Sequence, residues 1–186
     1  MDQIKQSIDD QVLAEGKFVR LVKRDNWEFV ERVNATGVAV MIPVTENEEI
    51  VLVEQYRPPM QSHVIELPAG LVGDQLDLPD EPAIETARRE LIEETGYRAG
   101  QMQLVFSGPT SPGIVAEAPD FYVASQLTKV GEGGGVEDEE IETHVVPFAE
   151  IDGWLEQQQR RGVMVDPKLY MGLWFAKRHL AGELTP

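Results

Sequence analysis

The sequence has no cysteine among its 186 residues, which excludes disulfide bonds, thiolate metal sites and cysteine nucleophiles. It also lacks any apolar run of about 18 residues, the length that a membrane-spanning helix needs. Its first ten residues, Met1–Asp10, are polar and carry several acids, unlike a secretory signal. These absences predict a cytoplasmic protein that has no membrane partner.

Basic residues are scarce, since 16 lysines and arginines stand against 33 aspartates and glutamates, for a formal net charge of −17. A surface of this sign repels polyphosphate backbones, so nucleic acid is not an expected partner. A small anionic substrate remains compatible with the charge if divalent cations neutralise nearby carboxylates and phosphates. The plain alternative is that the acidity serves only solubility.

The length suits one domain with a small N-terminal extension. The apolar pattern predicts short strands on either side of an Asp25-Asn26 turn, and a hairpin that joins Val38–Val44 to Ile50–Tyr56. One central helix and two C-terminal helices are also expected. The other predicted elements are strands at Val64–Leu67, Met102–Phe106, Phe121–Ser125 and Thr143–Phe148, a loop at 71–80, and helices at 81–95, 149–160 and 167–181.

The predicted helix at 81–95, which Gly96 ends, carries an unusual group of acids. On a helix Glu90 and Glu94 lie one turn apart on the same face, and Glu93 is offset from Glu90 by about 60°. Three carboxylates so close together repel one another unless they are compensated, and Mg²⁺ prefers carboxylate and water oxygens. The alternative is a solvated acidic helix in which neighbouring arginines form ion pairs.

The same segment resembles the Nudix box. That pattern is Gly, five residues, Glu, seven residues, then Arg-Glu-aliphatic-x-Glu-Glu-x-Gly-hydrophobic, and every required position from Glu81 to Tyr97 matches. One departure is that ten residues separate Gly70 from Glu81, where the family usually has five. The loop 71–80 therefore carries five additional residues.

The Nudix resemblance implies a metal site. Glu90 and Glu94 would bind Mg²⁺, with Mn²⁺ as the alternative cation, and Glu93 would share a metal or hold the site. The backbone carbonyl of Ala69 would be a further ligand, because Pro68-Ala69-Gly70 matches the turn before the box. Arg89 would orient the carboxylates, and Glu81 would stabilise the junction between loop and helix.

Residues outside the box resemble the ADP-ribose pyrophosphatase branch of the family. Its markers are Glu54-Gln55-Tyr56-Arg57, then Glu66-Leu67-Pro68-Ala69-Gly70, and Ser111-Pro112-Gly113 followed by Glu117. The resemblance covers about residues 17–181. It implies an α+β fold, namely a Nudix α/β/α sandwich with a central mixed sheet and an N-terminal antiparallel hairpin. Residues 1–35 would form the extension and hairpin that make a homodimer, and residues 36–186 the Nudix hydrolase domain.

The same resemblance implies a set of substrate-binding residues. Arg57 would contact phosphate or ribose, since a guanidinium can bridge two oxygens. Trp27 would stack on a nucleobase, since N-terminal aromatics of this branch often reach across a dimer. Glu66 would position metals or the terminal ribose. Pro112 and Gly113 would lie beside the substrate. A surface position or ordinary packing is the alternative for Arg57, Glu66 and Trp27.

The catalytic base is expected in the acidic segment after Gly131-Glu132-Gly133-Gly134-Gly135, because glycines would let a base move toward a bound water. Glu139 is the first choice, with Glu137 and Glu140 next to it. The alternative is a disordered acidic loop. The three histidines, His63, His144 and His179, are scattered without metal-ligand spacing, and a structural role is expected for His144.

These features predict Mg²⁺-dependent hydrolysis of the pyrophosphate bond in ADP-ribose or a related nucleoside diphosphate sugar, giving a nucleoside monophosphate and a sugar phosphate. The expected partner is this small nucleotide sugar. The alternatives are another Nudix pyrophosphohydrolase, acting on GDP-mannose, a nucleoside triphosphate or a dinucleoside polyphosphate, and a noncatalytic ADP-ribose sensor. The complete set of box carboxylates argues against the sensor.

Overall fold

The computed structural model describes residues 10–75, 80–136 and 139–184 of the chain. In chain order its strands are β1 (Gln11–Glu15), β2 (Val19–Arg24), β3 (Trp27–Arg32), β4 (Gly37–Pro43), β5 (Glu49–Arg57), β6 (Ser62–Glu66), β7 (Ala69–Val72), β8 (Tyr97–Ser107), β9 (Asp120–Lys129), β10 (Ile141–Pro147) and β11 (Met164–Val165). The helices are α1 (Ala83–Thr95), α2 (Ile151–Arg160) and α3 (Pro167–Leu180). None of these helices is long and apolar enough to cross a membrane.

The strands of the described residues form three sheets, in the orders β1-β2-β3, β7-β4-β9-β8 and β10-β5-β6-β11. The two larger sheets are mixed, because β4 pairs with β9 in parallel and β6 pairs with β11 in parallel. Met41 of β4 packs in a cluster with Leu91 of α1, whereas Val40 and Ile42 pack in a cluster with Leu169 of α3. Helices therefore cover both faces of the central sheet, which confirms the predicted α+β sandwich.

The central helix forms where the sequence predicts it. It begins at Ala83, two residues later than expected, and Gly96 ends it with a φ of 72° and an N–H that donates to the Ile92 carbonyl. That left-handed backbone favours glycine. Ala87 and Leu91 are fully buried against the sheet. This packing turns the side of α1 that carries Glu90 and Glu94 toward the strands.

The predicted hairpin of Val38–Val44 with Ile50–Tyr56 is wrong, although both strands exist. Only Val44 and Ile50 form a bridge, and the two strands then enter different sheets. The reason is that β4 and β5 are each buried on both faces, so each lies inside a sheet with two strand neighbours. The divergence of β4 and β5 opens a space between the two sheets.

One loop assignment and several strand bounds also differ from the prediction. Leu71 and Val72 were expected in a loop, but they belong to β7, which pairs with β4. The N-terminal hairpin is confirmed around the Asp25 turn, and β1 extends it to a three-stranded sheet. The sequence prediction also missed the two-residue strand β11. It underestimated the lengths of β8 and β9, because exposed polar residues in these two strands weaken the alternating pattern.

Candidate active site

A cavity of about 320 Å³ lies between α1 and the strands β4 to β7, and we call it the carboxylate cavity. Its lining combines several acids with a few basic side chains. The acidic lining residues are Glu66, Asp74, Glu90, Glu94, Glu117 and Glu139, and the basic ones are Arg32, Arg57 and Lys168. Six acids in one concave site create a strong negative field, which a bound cation would offset.

Glu90 and Glu94 are held inside the protein beside this cavity. Glu94 is only 5% exposed, and the Ala69 N–H donates to its Oε2 at 3.1 Å. Burial raises the pKa of Glu94 to about 8, against the lowering effect of the Ala69 N–H. Burial also raises the pKa of Glu90 to about 7, although the Arg89 guanidinium opposes the shift. Both carboxylates therefore bind a proton more tightly than an exposed glutamate does.

The turn Pro68-Ala69-Gly70 brings the backbone against α1. A Cβ at Gly70 would lie 2.0 Å from the Glu90 Cγ, a distance that only a large rearrangement could relieve. Glycine at this position therefore allows the Glu90 side chain to lie against the β7 backbone. The structure shows the Ala69 N–H in contact with Glu94, and the role of the Ala69 carbonyl as a ligand stays a prediction.

Arg89 contacts three carboxylates at once. Its guanidinium lies 2.8 Å from Glu90, 3.0 Å from Glu93 and 3.2 Å from Glu81. The Thr86 hydroxyl also donates to Glu81 at 2.9 Å. Glu81 and Arg89 thus stabilise the N-terminal end of α1, and Arg89 orients the Glu90 carboxylate. Glu93 points to Arg89 and is absent from the described residues that line the cavity, so its metal role stays a prediction.

The donor atoms of the cavity fit a hard divalent cation. Its acidic lining offers carboxylate oxygens, which are the ligands that Mg²⁺ prefers. The Oδ1 atom of Asp74 is buried and has no hydrogen-bond partner within the described part of the chain. A buried carboxylate oxygen without a donor is costly unless a cation or water satisfies it. Sequence reasoning missed Asp74, because it lies in the additional loop residues that the family pattern does not cover.

The glycine-rich segment before Glu139 docks on the end of α1. The N–H groups of Gly134 and Gly135 donate to the carbonyls of Glu94 and Glu93 at 2.9 and 3.0 Å. At Gly133, whose φ is 77°, a Cβ would lie 2.5 Å from the Thr95 carbonyl carbon. These glycines were expected to permit motion. That motion stays a prediction, and the structure adds a second role, because these glycines let the acidic segment approach the helix terminus closely.

The predicted bases lie in different positions around this segment. Glu139 lines the carboxylate cavity and raises the pKa of Glu94 as one of the minor contributions. Its Oε2 also accepts a hydrogen bond from the Val136 N–H at 3.1 Å. Glu140 instead lines a neighbouring cavity of about 440 Å³, which Glu139 also borders. Glu137 lies outside the described residues.

Arg57 and Glu66 form an ion pair on the wall of the carboxylate cavity. The Arg57 Nε lies 2.6 Å from the Glu66 Oε2, and Glu66 is 8% exposed. Burial raises the pKa of Glu66, against the lowering effect of Arg57. Lys168, at the start of α3, also lines the cavity and forms an ion pair with Asp166. Sequence reasoning missed Lys168, since nothing in its local pattern relates it to the box.

Trp27, Pro112 and Gly113 lie together, but they line a different cavity. This second cavity measures about 290 Å³, and we call it the tryptophan cavity. Trp27 is 65% exposed at the start of β3, and Arg32 at the other end of that strand lines the carboxylate cavity. Five residues at about 3.3 Å each separate the two ends by roughly 17 Å. Trp27 therefore does not line the carboxylate cavity of its own chain.

The family of the chain follows from comparison with known proteins. A family model for the NUDIX domain matches residues 35–166, which include α1 and its glutamates. The chain belongs to the Nudix family of hydrolases. The match includes the acidic residues that line the carboxylate cavity, whereas Arg32 and Lys168 of its lining lie just outside the matched range.

This Nudix chain is similar to several curated proteins. It is 36% identical over 181 residues to a GDP-mannose pyrophosphatase of Cronobacter sakazakii, covering 87% of this chain and 88% of that protein. It is 37% identical over 143 residues to a methanol dehydrogenase activator of Bacillus methanolicus, covering 74% of this chain and 75% of that protein. A crystal structure of an ADP compounds hydrolase has a TM-score of 0.66 and 19% identity, with 95% of each chain covered, and shares the fold.

The raised pKa values predict a specific dependence of stability on pH. Because the folded state raises the pKa of Glu90 to about 7 and of Glu94 to about 8, it binds protons more tightly than the unfolded chain. Their contribution to the free energy of unfolding is then fully present below about pH 4.5 and is lost as pH rises through the folded-state values. At about 1.4 kcal/mol per pKa unit, the loss is on the order of a few kcal/mol for each of the two groups.

Urea unfolding at about pH 5.5, 7 and 8.5 measures this loss, with and without Mg²⁺. Without Mg²⁺, the wild type is expected to lose stability across this window relative to Glu94→Gln, which has one titrating group fewer. Mg²⁺ is expected to stabilise the wild type most at the highest pH, where both carboxylates are ionised. Parallel pH profiles for the two proteins would contradict the account.

Proposed function

We propose that this chain hydrolyses the pyrophosphate bond of a nucleoside diphosphate sugar in the presence of Mg²⁺. The observation that carries the proposal is the convergence of Asp74, Glu90 and Glu94 in one cavity, with Arg57 and Lys168 on its wall. Clustered carboxylates suit a divalent cation, and the two basic side chains suit the negative charge of a diphosphate.

In the proposed reaction, Glu90, Glu94 and Asp74 would hold the cation, together with the Ala69 carbonyl. The cation, when bound, supplies charge neutralisation and lowers the pKa of a coordinated water. Arg89 keeps Glu90 directed at the site, and Arg57 and Lys168 bind phosphate oxygens. Glu139 accepts the proton of the water that attacks one phosphorus, as the phosphorus–oxygen bond of the pyrophosphate breaks. The products are a nucleoside monophosphate and a sugar phosphate.

The names of similar proteins support a nucleotide sugar as the substrate class. One relative acts on GDP-mannose by name, and the structural neighbour acts on ADP compounds. A panel of ADP-ribose, GDP-mannose, ATP and a dinucleoside tetraphosphate separates the alternatives. We expect Mg²⁺-dependent release of AMP or GMP from the sugars and much slower turnover of the others. Tight binding of ADP-ribose without any product would support the sensor instead.

We also propose that the tryptophan cavity accepts the nucleobase and that two copies of the chain complete each other's site. Trp27 is exposed, and roughly 17 Å of extended strand separates it from Arg32, the residue of β3 that lines the carboxylate cavity of the same chain. An N-terminal sheet that packs on a second copy would bring this aromatic ring to the neighbouring cavity. A stacked base contributes about 1–3 kcal/mol in single-stranded nucleic acid complexes, which sets the expected scale.

Replacing Trp27 with alanine is accordingly expected to raise KM by about tenfold or more with little change in kcat, because a uniform binding contact is lost. Steady-state kinetics on ADP-ribose and GDP-mannose measure the effect. Phe18→Ala is the matched control, since Phe18 is another exposed ring of the N-terminal region and is absent from the tryptophan cavity.

Mixing two defective variants tests whether the site is shared. If Trp27 acts on a second copy, subunit exchange between Trp27→Ala and Glu94→Gln creates one intact site in each mixed dimer. A low-KM activity is then expected to appear on mixing. If Trp27 acts within its own chain, mixing restores nothing, and the shared site is excluded.

A further inference from the structure

A second group of histidine and glutamate side chains lies on the other face of β5. Gln55 lines the carboxylate cavity, and successive strand residues point to opposite faces, so Glu54 points away from it. Two histidines contact the Glu54 carboxylate: the His144 Nε2 lies 3.2 Å from its Oε2, and the His63 Nδ1 lies 3.4 Å from its Oε1. The His144 Nδ1 lies 3.8 Å from the Glu142 carboxylate. We call these four residues the histidine–glutamate cluster.

Strand register explains why residues so distant in sequence meet. Glu142 of β10 lies directly opposite Glu54 of β5, and His144 follows two residues later on the same face of β10. On the other side of β5, His63 of β6 lies opposite Tyr56, diagonally from Glu54. The expectation that the histidines are scattered holds for the sequence, but the sheet brings two of them to one carboxylate.

The charges of this cluster require compensation. Two carboxylates directly opposite each other on neighbouring strands repel, and Glu54 is only 6% exposed. Within residues 10–75, 80–136 and 139–184, no lysine or arginine forms an ion pair with Glu54, whose carboxylate instead contacts the two histidine rings. A buried carboxylate in this position needs an imidazolium or a metal cation beside it.

We propose that the histidine–glutamate cluster binds a divalent transition-metal cation of the zinc class. The ligand atoms of Glu54, Glu142 and His144 all lie within 4.8 Å of one another, so one ion can reach all three. Imidazole together with carboxylate favours Zn²⁺, whereas sites with oxygen donors alone suit Mg²⁺. The site therefore differs in chemistry from the carboxylate cavity, and it does not depend on the proposed function.

Two features of the surroundings suit a metal site. The Trp154 ring of α2 lies 5.1 Å from the His144 ring, which limits the orientations of that imidazole. The neighbouring cavity of about 440 Å³ borders Glu54, His63 and Glu142 and gives an ion a path to them. A bound ion would link β5 to the first residues of β10, the strand that follows the acidic segment.

Calorimetric titration with Zn²⁺ in saturating Mg²⁺ tests the proposal, because Mg²⁺ would compete for a site made of oxygen donors alone but not for one that contains imidazole. We expect one Zn²⁺ per chain, with affinity reduced about tenfold or more by His144→Ala or Glu142→Gln, which corresponds to about 1.4 kcal/mol or more. His179→Ala and Glu156→Gln are the controls, since these side chains lie outside the cluster. The Glu142 side chain is 71% exposed, so Glu142→Gln leaves the packing of the core unchanged. This variant tests the site even if His144→Ala disturbs folding.

The carboxylate variant Glu94→Gln separates the two sites. It is expected to retain the Zn²⁺ site whether or not the chain hydrolyses nucleotide sugars. Anomalous diffraction at the zinc edge should place the ion about 2.0–2.2 Å from a His144 nitrogen and a Glu54 oxygen. The proposal is overturned if Zn²⁺ binding is absent, if the cluster variants bind like the wild type, or if Glu94→Gln abolishes binding.

Discussion

Replacing Glu94 with glutamine is expected to lower kcat for nucleotide-sugar hydrolysis by about a thousandfold. Glutamine keeps the shape of the side chain and its contact with the Ala69 N–H, but it removes the negative charge that would hold Mg²⁺. Lewis-acid stabilisation by a metal is worth several kcal/mol, and each 1.36 kcal/mol changes the rate tenfold. Initial rates of nucleoside monophosphate release across a range of Mg²⁺ concentrations measure the loss.

The matched control for this variant is Glu85→Gln on the same helix. The Glu85 side chain is 56% exposed and lies outside the carboxylate cavity, so its variant should hydrolyse substrate at the wild-type rate. Glu94→Gln should also be more stable than the metal-free wild type above about pH 8, where the buried Glu94 side chain would be ionised. A folded Glu94→Gln protein with near-wild-type turnover would show that Glu94 holds no catalytic metal.

Replacing Glu139 with glutamine is expected to lower kcat by about 10²- to 10⁴-fold, the range typical of general-base catalysis. Glu139 borders the carboxylate cavity from the acidic segment, and its carboxylate is held by the Val136 N–H. Glutamine can retain that hydrogen bond but cannot accept the proton of the attacking water. The expected signature is a lower kcat with little change in KM, because substrate contacts remain.

Glu140→Gln is the matched control for the base. Its side chain is the next one along the chain, and it lines the neighbouring cavity instead of the carboxylate cavity. A loss of less than about tenfold is expected, since general-base catalysis is worth far more than that. If Glu140→Gln loses more activity than Glu139→Gln, the assignment of the base moves to Glu140. If neither loses activity, the base does not come from these two residues.

The parts of the site that the sequence predicts are those encoded within one helix. Glu90 and Glu94 recur at the spacing of one helical turn, and Gly96 marks the end of that helix, so local geometry alone places both carboxylates on one side. The two C-terminal helices were also predicted correctly, because each has an apolar stripe that packs on the core. Local periodicity carries this information without any knowledge of tertiary contacts.

The parts that the sequence did not predict depend on contacts between distant segments. Strands β4 and β5 were paired because they are adjacent in sequence, whereas burial on both faces places them in different sheets. Lys168 reaches the carboxylate cavity only because α3 packs back on the core, with Gly172 close against Leu67. The histidines show the same limit, since their meeting at Glu54 depends on cross-strand register.

The distinct cavities also separate residues that the sequence grouped together. Trp27, Pro112 and Gly113 are predicted to bind the substrate together with Arg57 and Glu66, and within one chain they line the tryptophan cavity. A family pattern indicates which residues contact the substrate, but it does not establish whether a given residue acts in its own chain or in a second copy. The subunit-mixing experiment addresses this difference directly.

Diffraction from crystals soaked with Mg²⁺ and a non-hydrolysable nucleotide sugar is the most direct test of the central claim. We expect an ion about 2.1 Å from carboxylate oxygens of Glu90 and Glu94, with the diphosphate on its other side. If both carboxylates point away from any ion while the diphosphate is bound elsewhere, the claim that α1 holds the catalytic metal is contradicted.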